Sequence, residues 1–413
     1  MTRQMKNSGI SYFGEIPTTW QVVRNGFLFR NTKTIVLPNK EYQLLSLTTK
    51  GVRKKDINDT SGKVPENYNG YQIVHPKDMV MCLFDIDCSA VFSGLSNYYG
   101  MISPAYKILK CHSEIMPEYA QYVFSYIGGK RLYKQYSKNL RYTLNIDDFM
   151  ALKLVLPPLA EQKTIADFLD TKCAEIDRLL ADLDAEVKTL TEYKKSIIAE
   201  IVTHGLNPNA PMKQLGLGWI DEVPAHWAIS RIASLYTVRN EKVSDKDYMP
   251  LSVTMKGIVP QLDNAAKTKH GDDRKLIRKG DFVINSRSDR RGSCGISPYE
   301  GSCSLINTVL APREKMNPLY YDWLFHTSIF ADEFYKWGYG IVDDLWTTNW
   351  GAMRRIQIPV PPIEEQEGIA HFLNSKVPQV ESTIADKLQQ IETLKAYKSS
   401  LIYEYVTGKK QVI

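Results

Sequence analysis

The sequence contains an internal repeat, and this repeat constrains the fold more than any other feature. Residues 161–203 align with residues 365–407 without a gap, at a constant offset of 204, and 18 of the 43 aligned positions are identical. Identity at this level along one unbroken segment indicates a duplicated structural unit. Two copies of one unit predict a pseudo-symmetric molecule, and duplex DNA is the commonest two-fold partner of soluble basic proteins of that kind.

Each copy opens with a matching phrase, and weaker matches extend upstream of it. The opening phrases are Pro157-Pro158-Leu159-Ala160-Glu161-Gln162 and Pro361-Pro362-Ile363-Glu364-Glu365-Gln366. Further upstream, Glu15-Ile16-Pro17-Thr18-Thr19-Trp20 returns as Glu222-Val223-Pro224-Ala225-His226-Trp227, and Gly94 and Gly100 return as Gly295 and Gly301. Each repeat is therefore a variable globular part followed by a well-matched helical part.

Both helical parts carry apolar residues that alternate steps of four and three. The first seam is Leu169, Cys173, Ile176, Leu180, Leu183, Val187, Leu190, Lys194, Ile197 and Ile201, and the second is Leu373, Val377, Val380, Ile384, Lys387, Ile391, Leu394, Lys398, Leu401 and Tyr405. A period of 3.5 residues predicts coiled-coil packing, and Leu388 is expected to cover the gap left by Lys387. If a two-fold axis relates the repeats, the two helices pair antiparallel.

The globular parts mix short strand-like runs with one amphipathic helix each. Strands are predicted within 79–84 and 281–284, and helices near 117–135 and 318–337. The predicted fold class is α+β, with two pseudo-symmetric α+β domains separated by two long helices that form an antiparallel coiled coil. The predicted boundaries are a first domain at 1–156, a first long helix at 157–204, a linker at 205–215, a second domain at 216–360 and a second long helix at 361–413.

The charge is distributed unevenly along the chain. The net charge is +6, but the helical segments 161–203 and 365–407 carry −4 and −2, so the remaining residues carry +12. Basic globular parts beside acidic helices predict a polyanionic partner for the globular parts. The N-terminus has no apolar stretch, and no uncharged apolar run reaches membrane-spanning length, so we expect a cytoplasmic protein without a membrane partner.

Sequence signatures of catalysis are absent. The chain has no phosphate-binding G-x-x-x-x-G-K-[ST] loop, no H-E-x-x-H zinc motif and no glycine-rich dinucleotide fingerprint. It also lacks the Asn/Asp-Pro-Pro-Tyr/Phe segment that holds a flipped adenine in amino-methyltransferases. We therefore predict no catalytic residue and no metal site in this chain.

Basic residues interleaved with aromatic ones are the candidate DNA contacts, because arginine can grip a phosphate or read guanine in the major groove. In the second repeat, three arginines fall within the flexible segment 285–293. The candidate DNA-binding residues are Lys50, Arg53, Lys54, Lys138, Arg141 and Tyr142 in the first repeat, and Lys256, Lys269, Arg274, Arg287, Arg290, Arg291 and Trp346 in the second.

Each candidate also has a structural interpretation. A charge cluster is usually a solvated face, and Tyr142 and Trp346 are about as well explained as core anchors. Asn145 and Asn349, which recur shortly after those aromatics, have the side chain of a helix cap. Recurrence in both repeats is what favours DNA contact.

These features together resemble the specificity subunits of type I restriction–modification systems. The resemblance is carried by the P-P-L/I-x-E-Q phrase that opens each long helix, the matched helix ends Tyr193-Lys194-Lys195-Ser196-Ile197-Ile198 and Tyr397-Lys398-Ser399-Ser400-Leu401-Ile402, and two divergent domains of similar size. It covers essentially the whole chain. The openings around Trp20 and Trp227 also look like the starts of target recognition domains.

The resemblance implies a division of labour. Each target recognition domain would read one half of a bipartite double-stranded DNA site, and the coiled coil would fix the unread spacer. The subunit would have no activity itself. It would recruit two modification subunits, which use S-adenosylmethionine to methylate adenine at N6, and two restriction subunits, which use ATP and magnesium to translocate and cut DNA. The regions beginning at Glu161, Gln162, Glu365 and Gln366 would be the docking surface for the modification subunits.

Two other functions remain as alternatives. The chain could be a coiled-coil interaction scaffold that binds no nucleic acid, but the +12 on the globular parts counts against it. It could also be a stand-alone DNA nuclease or methyltransferase, which the missing motifs disfavour.

Overall fold

A computed structural model describes residues 3–37, 41–56, 67–138, 141–261, 271–313, 315–340 and 346–412. The chain divides into two compact units. Unit 1 comprises Met1–Asp184 and Gln389–Ile413, and unit 2 comprises Ala185–Leu388. Each unit thus combines one globular domain, the start of the long helix that follows it and the end of the other long helix.

The globular part of unit 1 is built from short antiparallel strands. Its strands are β1 (Met5–Asn7), β2 (Glu15–Pro17), β3 (Gln21–Arg24), β4 (Phe29–Thr32), β5 (Leu45–Thr48), β6 (Gly51–Lys54), β7 (Gln72–Val74), β8 (Met79–Met81), β9 (Ser93–Leu95), β10 (Gly100–Ile102), β11 (Lys107–Cys111) and β12 (Lys153–Leu156). The largest sheet has the order β4-β11-β8-β9, and the other strands form two-stranded ladders. One ladder pairs β3 with β12, which places Arg24 opposite Lys153 just before the first long helix.

The helices of unit 1 cover this sheet. They are α1 (Asn25–Leu28), α2 (Pro117–Gly129), a 3₁₀ turn (Leu132–Tyr136), α3 (Ile146–Ala151) and the start of α4 (Leu159–His204). The predicted helix near 117–135 is therefore α2 with its 3₁₀ extension. The core is aromatic, with Phe29, Phe124, Tyr133 and Phe149 fully buried. Val406 of the second long helix belongs to the same core.

Unit 2 repeats this plan. Its strands are β13 (Met212–Gln214), β14 (Glu222–Pro224), β15 (Ala228–Arg231), β16 (Tyr236–Val238), β17 (Lys242–Val243), β18 (Leu251–Thr254), β19 (Gly257–Pro260), β20 (Arg274–Ile277), β21 (Phe282–Asn285), β22 (Cys294–Ile296), β23 (Gly301–Cys303), β24 (Asn307–Pro312) and β25 (Gln357–Val360). The sheet β16-β24-β21-β22 matches the four-stranded sheet of unit 1, and β15 pairs with β25 as β3 pairs with β12.

The helices of unit 2 also match their counterparts. They are α5 (Ile232–Leu235), a 3₁₀ turn (Ser288–Arg290), α6 (Pro318–Phe325), α7 (Ser328–Lys336), α8 (Trp350–Met353) and the start of α9 (Ile363–Val406), up to residue 388. The predicted helix near 318–337 is split in two because the Thr327 side chain caps α7 by accepting a hydrogen bond from Phe330 N at 3.2 Å. The mixed α+β architecture predicted from the sequence is confirmed.

The long helices begin directly after the double prolines, as predicted, and their seam residues are buried or half-buried. Within unit 1, Phe168 packs on Tyr405 with 4.6 Å between ring centres, and Lys398 Nζ lies 2.6 Å from Asp177 Oδ1. Pairing partners thus run in opposite directions along α4 and α9. The helices are antiparallel there, as predicted.

The helix segments within unit 2 pair in the same sense. Lys194 Nζ lies 2.9 Å from Glu381 Oε1, and Lys387 Nζ lies 2.6 Å from Glu186 Oε2. The expectation that Leu388 covers the gap at Lys387 is wrong, because the Leu388 side chain is 48% exposed. Instead, each lysine on the seam reaches a carboxylate of the opposite helix, which lets the seam accept a polar residue.

The repeated glycines mark places where a hairpin crosses the neighbouring strands. A side chain at Gly100 would collide with the carbonyl of Gln43, and one at Gly301 with the carbonyl of Met249. A Cβ at Gly295 would lie 2.9 Å from Gly257 Cα. The hairpins β5–β6 and β18–β19 are therefore held close over β9 and β22, which fixes where their tips point.

Candidate nucleic-acid interface

The arginine-rich segment of the second repeat is a loop between β21 and β22 that is tied at both ends. The Asn285 side chain accepts a hydrogen bond from Arg287 N at 3.1 Å. The Tyr335 hydroxyl of α7 donates to the carbonyls of Asn285 and Arg290, at 3.1 and 3.3 Å. A single buried tyrosine therefore positions the whole loop.

The three arginines of this loop are not equivalent. The Arg290 side chain is 69% exposed and lies 3.8 Å from the Asp289 carboxylate, while Arg287 lies 3.9 Å from the same carboxylate. Arg291 forms an ion pair with Asp332, and its guanidinium lies 5.6 Å from the centre of the Tyr335 ring. Arg290 is consequently the most available of the three to an external anion.

The segment around Trp346 packs against this loop. Ser288 N donates to the Trp346 carbonyl at 2.9 Å, and Arg287 forms an isolated antiparallel bridge with Thr347. Thr347 also bridges to Tyr339, whose side chain is well exposed. Trp346 itself is half-buried, so it is neither a full core anchor nor a free surface residue.

The tip of the β18–β19 hairpin reaches the other side of the loop. Met255 and Lys256 form that tip, and Met255 lines a cavity of about 360 Å³ together with Arg291 and Gly292. The fold therefore brings Lys256, Trp346 and the three arginines of the loop to one surface of unit 2.

Unit 1 presents corresponding segments with different chemistry. Lys50 lies at the tip of the β5–β6 hairpin, and Arg53 and Lys54 are exposed on β6, with Lys54 Nζ 5.4 Å from the centre of the Tyr98 ring. A Cβ at Gly94 would lie 3.1 Å from Val52 N, so this hairpin crosses β9 closely. The hairpin is thus basic in both repeats.

The second basic cluster of unit 1 lies beside the β8–β9 loop. The carbonyls of Arg141 and Tyr142 accept from Asp85 N and Ile86 N, at 2.9 and 3.4 Å. Lys138 is exposed but forms an ion pair of 2.9 Å with Asp148. Tyr142 is half-buried under Lys134, whose Nζ lies 4.4 Å from the ring centre. The loop carries aspartates where unit 2 carries arginines, so the two units offer unlike surfaces.

The structure does not place two of the predicted DNA contacts, Arg274 and Lys269, on these basic surfaces. Arg274 is only 4% exposed, and its guanidinium donates to the hydroxyl and the carbonyl of Ser302 at 2.9 and 3.1 Å. Its prediction as a DNA contact is corrected, because a side chain held inside the domain cannot reach a phosphate. Lys269 lies outside the described residues.

The structure corrects the predicted docking role for the two glutamines of the E-Q phrases, whereas docking at Glu161 and Glu365, which keep part of their side chains exposed, stays a prediction. Gln162 is fully buried, where its side chain accepts from Met116 N and donates to the carbonyls of Glu114 and Pro157, each at 2.9 Å. Gln366 is 1% exposed and bonds Asn317 N and the Pro361 carbonyl, each at 2.8 Å. Both glutamines fasten a long helix to its domain and have no surface to offer.

The glutamates of the same phrases hold the tryptophans of the upstream phrases. Glu161 Oε2 accepts from Trp20 Nε1 at 3.0 Å and from Arg3 at 2.8 Å. Glu365 Oε2 accepts from Trp227 Nε1 at 2.9 Å. Sequence reasoning missed these pairs, although both partners stand in phrases that recur together, and that joint recurrence was the available signal.

The two recurring asparagines, Asn145 and Asn349, are helix caps. The Asn145 side chain accepts from Asp148 N at 2.8 Å and caps α3, while the Asn349 side chain accepts from Ala352 N at 3.0 Å and caps α8. Each asparagine thus sets where a short helix begins just downstream of an aromatic candidate.

The cysteines offer no activated thiol among the groups with a marked shift. Burial raises the pKa of the Cys303 thiol to about 11 and that of Cys111 to about 12, whereas a nucleophilic cysteine needs a lowered pKa. Across the described ranges, no three histidine, cysteine, aspartate or glutamate side chains come together in a way that could hold a metal ion. In the same ranges, no helix has the length and apolarity required to span a bilayer.

Comparison with known proteins finds specificity subunits of type I restriction enzymes. No protein-family model matches the sequence. The putative specificity subunit of the type I restriction enzyme MjaX from Methanocaldococcus jannaschii is 23% identical over 317 residues, covering 73% of this chain and 69% of that protein. The MjaVIII specificity subunit of the same organism is 21% identical over 431 aligned residues, covering 96% and 94%.

Solved structures share the fold. A chain solved in a study of complex assembly and conformational transition of the type I restriction–modification system superposes with a TM-score of 0.71 at 16% identity, covering 96% of this chain and 99% of that one. The HsdS subunit from Thermoanaerobacter tengcongensis superposes with a TM-score of 0.52 at 14% identity, covering 96% and 98%. The likeness therefore extends over both repeats and both long helices.

Proposed function

We infer, from relatives that match it along both repeats, that this chain is the specificity subunit of a type I restriction–modification complex and binds DNA without catalysing a reaction. In this proposal each globular domain reads one half of a bipartite double-stranded site. The main structural support for DNA binding is one surface of unit 2, which presents Lys256, Arg287, Arg290 and Trp346. A basic, aromatic surface of this kind suits contact with phosphates and base edges.

The unlike loops of the two units support separate half-sites. The loop after β21 carries Arg287, Arg290 and Arg291, whereas the loop after β8 carries Asp85 and Asp87. Base readout depends on the donors and acceptors that a loop presents. Two domains of one fold with opposite loop charges are therefore expected to read different sequences.

The long helices are proposed to set the spacer between the halves. The chain passes from one unit to the other at two points, between Asp184 and Ala185 in α4 and between Leu388 and Gln389 in α9. Both points lie inside a helix, and a helix has a fixed rise per residue. The length of these helices is thus the natural determinant of spacer length.

We propose that the modification subunits dock on the exposed faces of the two long helices. Tyr193 and Tyr397 occupy the same position of the repeat and are 45% and 55% exposed, and Leu179 and Leu388 are also about half exposed. The two tyrosines are related by the repeat, and equivalent exposed residues on both helices suit two copies of one partner. We further propose that restriction subunits join this assembly, and that S-adenosylmethionine, ATP and magnesium are used by those partner subunits.

Retention on duplex DNA tests the function directly. The purified chain is expected to bind a fluorescent duplex with an affinity that falls steeply as salt is raised, because phosphate contacts release counterions. Binding that is absent at low salt would support the scaffold alternative. Cleavage or methylation of the duplex by the chain alone would support the enzyme alternative.

Replacing Arg290 with alanine is expected to weaken or relax the reading of one half-site only. A bidentate arginine–guanine contact is worth about 1–3 kcal/mol of discrimination, and Arg290 is the most exposed arginine of its loop. Methylation of a panel of targets mutated in either half provides the measurement, with Arg278→Ala as an exposed arginine control away from this loop. An equal loss of methylation for both halves would show that Arg290 does not read the bases of one half-site.

A further inference from the structure

We propose that a second basic cavity of unit 2 binds a backbone phosphate of the DNA, and that unit 1 lacks this site. The cavity measures about 730 Å³ and is lined by Arg231, Arg354, Arg355, Trp219 and Trp337, among others. None of these residues was a candidate from the sequence. The inference rests on the proposed function and adds a phosphate contact beyond the base-reading loops.

Strand pairing is what brings the three arginines together. Arg231 ends β15 and stands opposite Gln357, the first residue of β25. Arg354 and Arg355 precede β25, and Ala233 N donates to the Arg354 carbonyl at 3.2 Å. The guanidinium groups therefore project from two adjacent segments of backbone whose spacing is fixed.

The positive charge of this cavity is only partly balanced by carboxylates in its lining. Arg231, Arg354 and Arg355 are all exposed, and among the described residues none of them forms an ion pair. Glu333 is the one carboxylate among the described residues that line the cavity, so the net charge of its lining is +2. Glu333 Oε1 already accepts from Trp337 Nε1 at 2.7 Å, and its Oε2 lies 3.7 Å from Lys336. Like charges grouped without counterions favour binding of an anion.

A polymer suits this position better than a free nucleotide. Trp337 is followed by Gly338 and the exposed Tyr339, and a Cβ at Gly338 would lie 3.4 Å from Trp346 Cβ. Trp346 in turn accepts from Ser288 of the arginine loop. The exposed Trp337 and Tyr339 and the half-buried Trp346 thus lie between the proposed base-reading loop and the cavity, and aromatic side chains there suit a strand of nucleic acid.

The first repeat supplies a matched comparison. Arg24 occupies the place of Arg231, opposite Lys153 on β12. At the offset of 204, however, Met150 and Ala151 stand where the second repeat has Arg354 and Arg355. The same backbone therefore exists with and without the arginine pair, and the substitutions Arg354→Met and Arg355→Ala copy residues that this fold already carries.

The test measures equilibrium binding of a fluorescent 40-base-pair duplex to the full chain across a range of NaCl concentrations. In the double variant R354M/R355A, the slope of log affinity against log salt is expected to fall in magnitude by about 1, since one lost phosphate contact removes about 0.9. The charge-preserving variant R354K/R355K should retain the wild-type slope, and R24A in the first repeat should leave it unchanged.

Each contrary outcome has a distinct meaning. An unchanged slope in a folded R354M/R355A variant, or an equal loss in R24A, would overturn the assigned site while leaving DNA binding intact. Quenching of tryptophan fluorescence by ADP or inorganic phosphate, with an unchanged DNA slope, would overturn it in favour of a small anion. Failure of the wild-type chain to bind any duplex would instead refute the proposed function on which the site depends.

Discussion

Removing residues 180–186 and 384–390 together is expected to shorten the unread spacer of the DNA site by about three base pairs, with both half-sites unchanged. Seven helical residues span about 10 Å at 1.5 Å per residue, and one base pair rises about 3.4 Å. A deletion of seven residues also preserves the 3.5-residue period of the seam. Methylation sequencing measures the effect as the number of undefined base pairs between the two halves of the methylated motif.

The contacts across the seam make this deletion conservative. Glu186 and Lys387 form an ion pair, and the deletion removes both of them. The pair Lys398–Asp177 lies on one side of the deleted segments and the pair Lys194–Glu381 on the other. Both flanking pairs therefore keep their partners.

A deletion of four residues, 181–184, with 385–388 is the matched control. It shortens the helices too, but it shifts the seam out of phase, so we expect loss of methylation and not a shorter spacer. If the seven-residue deletion abolished one half-site and left the spacer unchanged, the helices would not set the spacer.

Replacing Trp227 with alanine is expected to destabilise unit 2 by about 3–5 kcal/mol, the usual range for a buried tryptophan. The side chain is completely buried, donates to Glu365 at 2.9 Å, and lies 3.1 Å from the Cβ position of Gly205 at the end of α4. One side chain thus joins the domain to the beginning of one long helix and the end of the other. Trp20 does the same in unit 1, where it lies between Glu161 and Gly408.

Urea denaturation of the purified chain measures this effect. Trp227→Phe keeps most of the buried volume and removes the N–H donor, so it should cost only about 1 kcal/mol. Tyr397→Ala, at a half-exposed helix position, is the control and should change the free energy of unfolding by less than about 0.5 kcal/mol. A loss below 1 kcal/mol in Trp227→Ala would show that the anchor is not important for stability.

The long helices were predictable because their signal is local and periodic. The apolar residues recur every 3.5 positions, and the double prolines mark where each helix begins. The three lysines on the seams were also visible, but their partners were not, because Asp177, Glu186 and Glu381 lie on the opposite helix. The sequence alone therefore suggested Leu388 as cover for Lys387, where the fold uses an ion pair.

The roles of single site residues were harder to predict because they depend on contacts between distant segments. Glu161 and Gln162 were expected in a docking surface because of the family resemblance, yet in the fold Gln162 is buried and Glu161 holds Trp20. Arg274 looked like part of a basic cluster, but its strand turns the side chain towards Ser302. Arg231 and Arg354 drew no attention in the sequence, because only the pairing of β15 with β25 makes them neighbours.

The proposed function is tested by long-read methylome sequencing of cells that carry this chain together with a modification subunit. We expect N6-methyladenine in a two-part motif with an undefined middle, and loss of that methylation when this chain is deleted. Absence of any such motif, although the chain folds and co-purifies with the modification subunit, would contradict the proposed function.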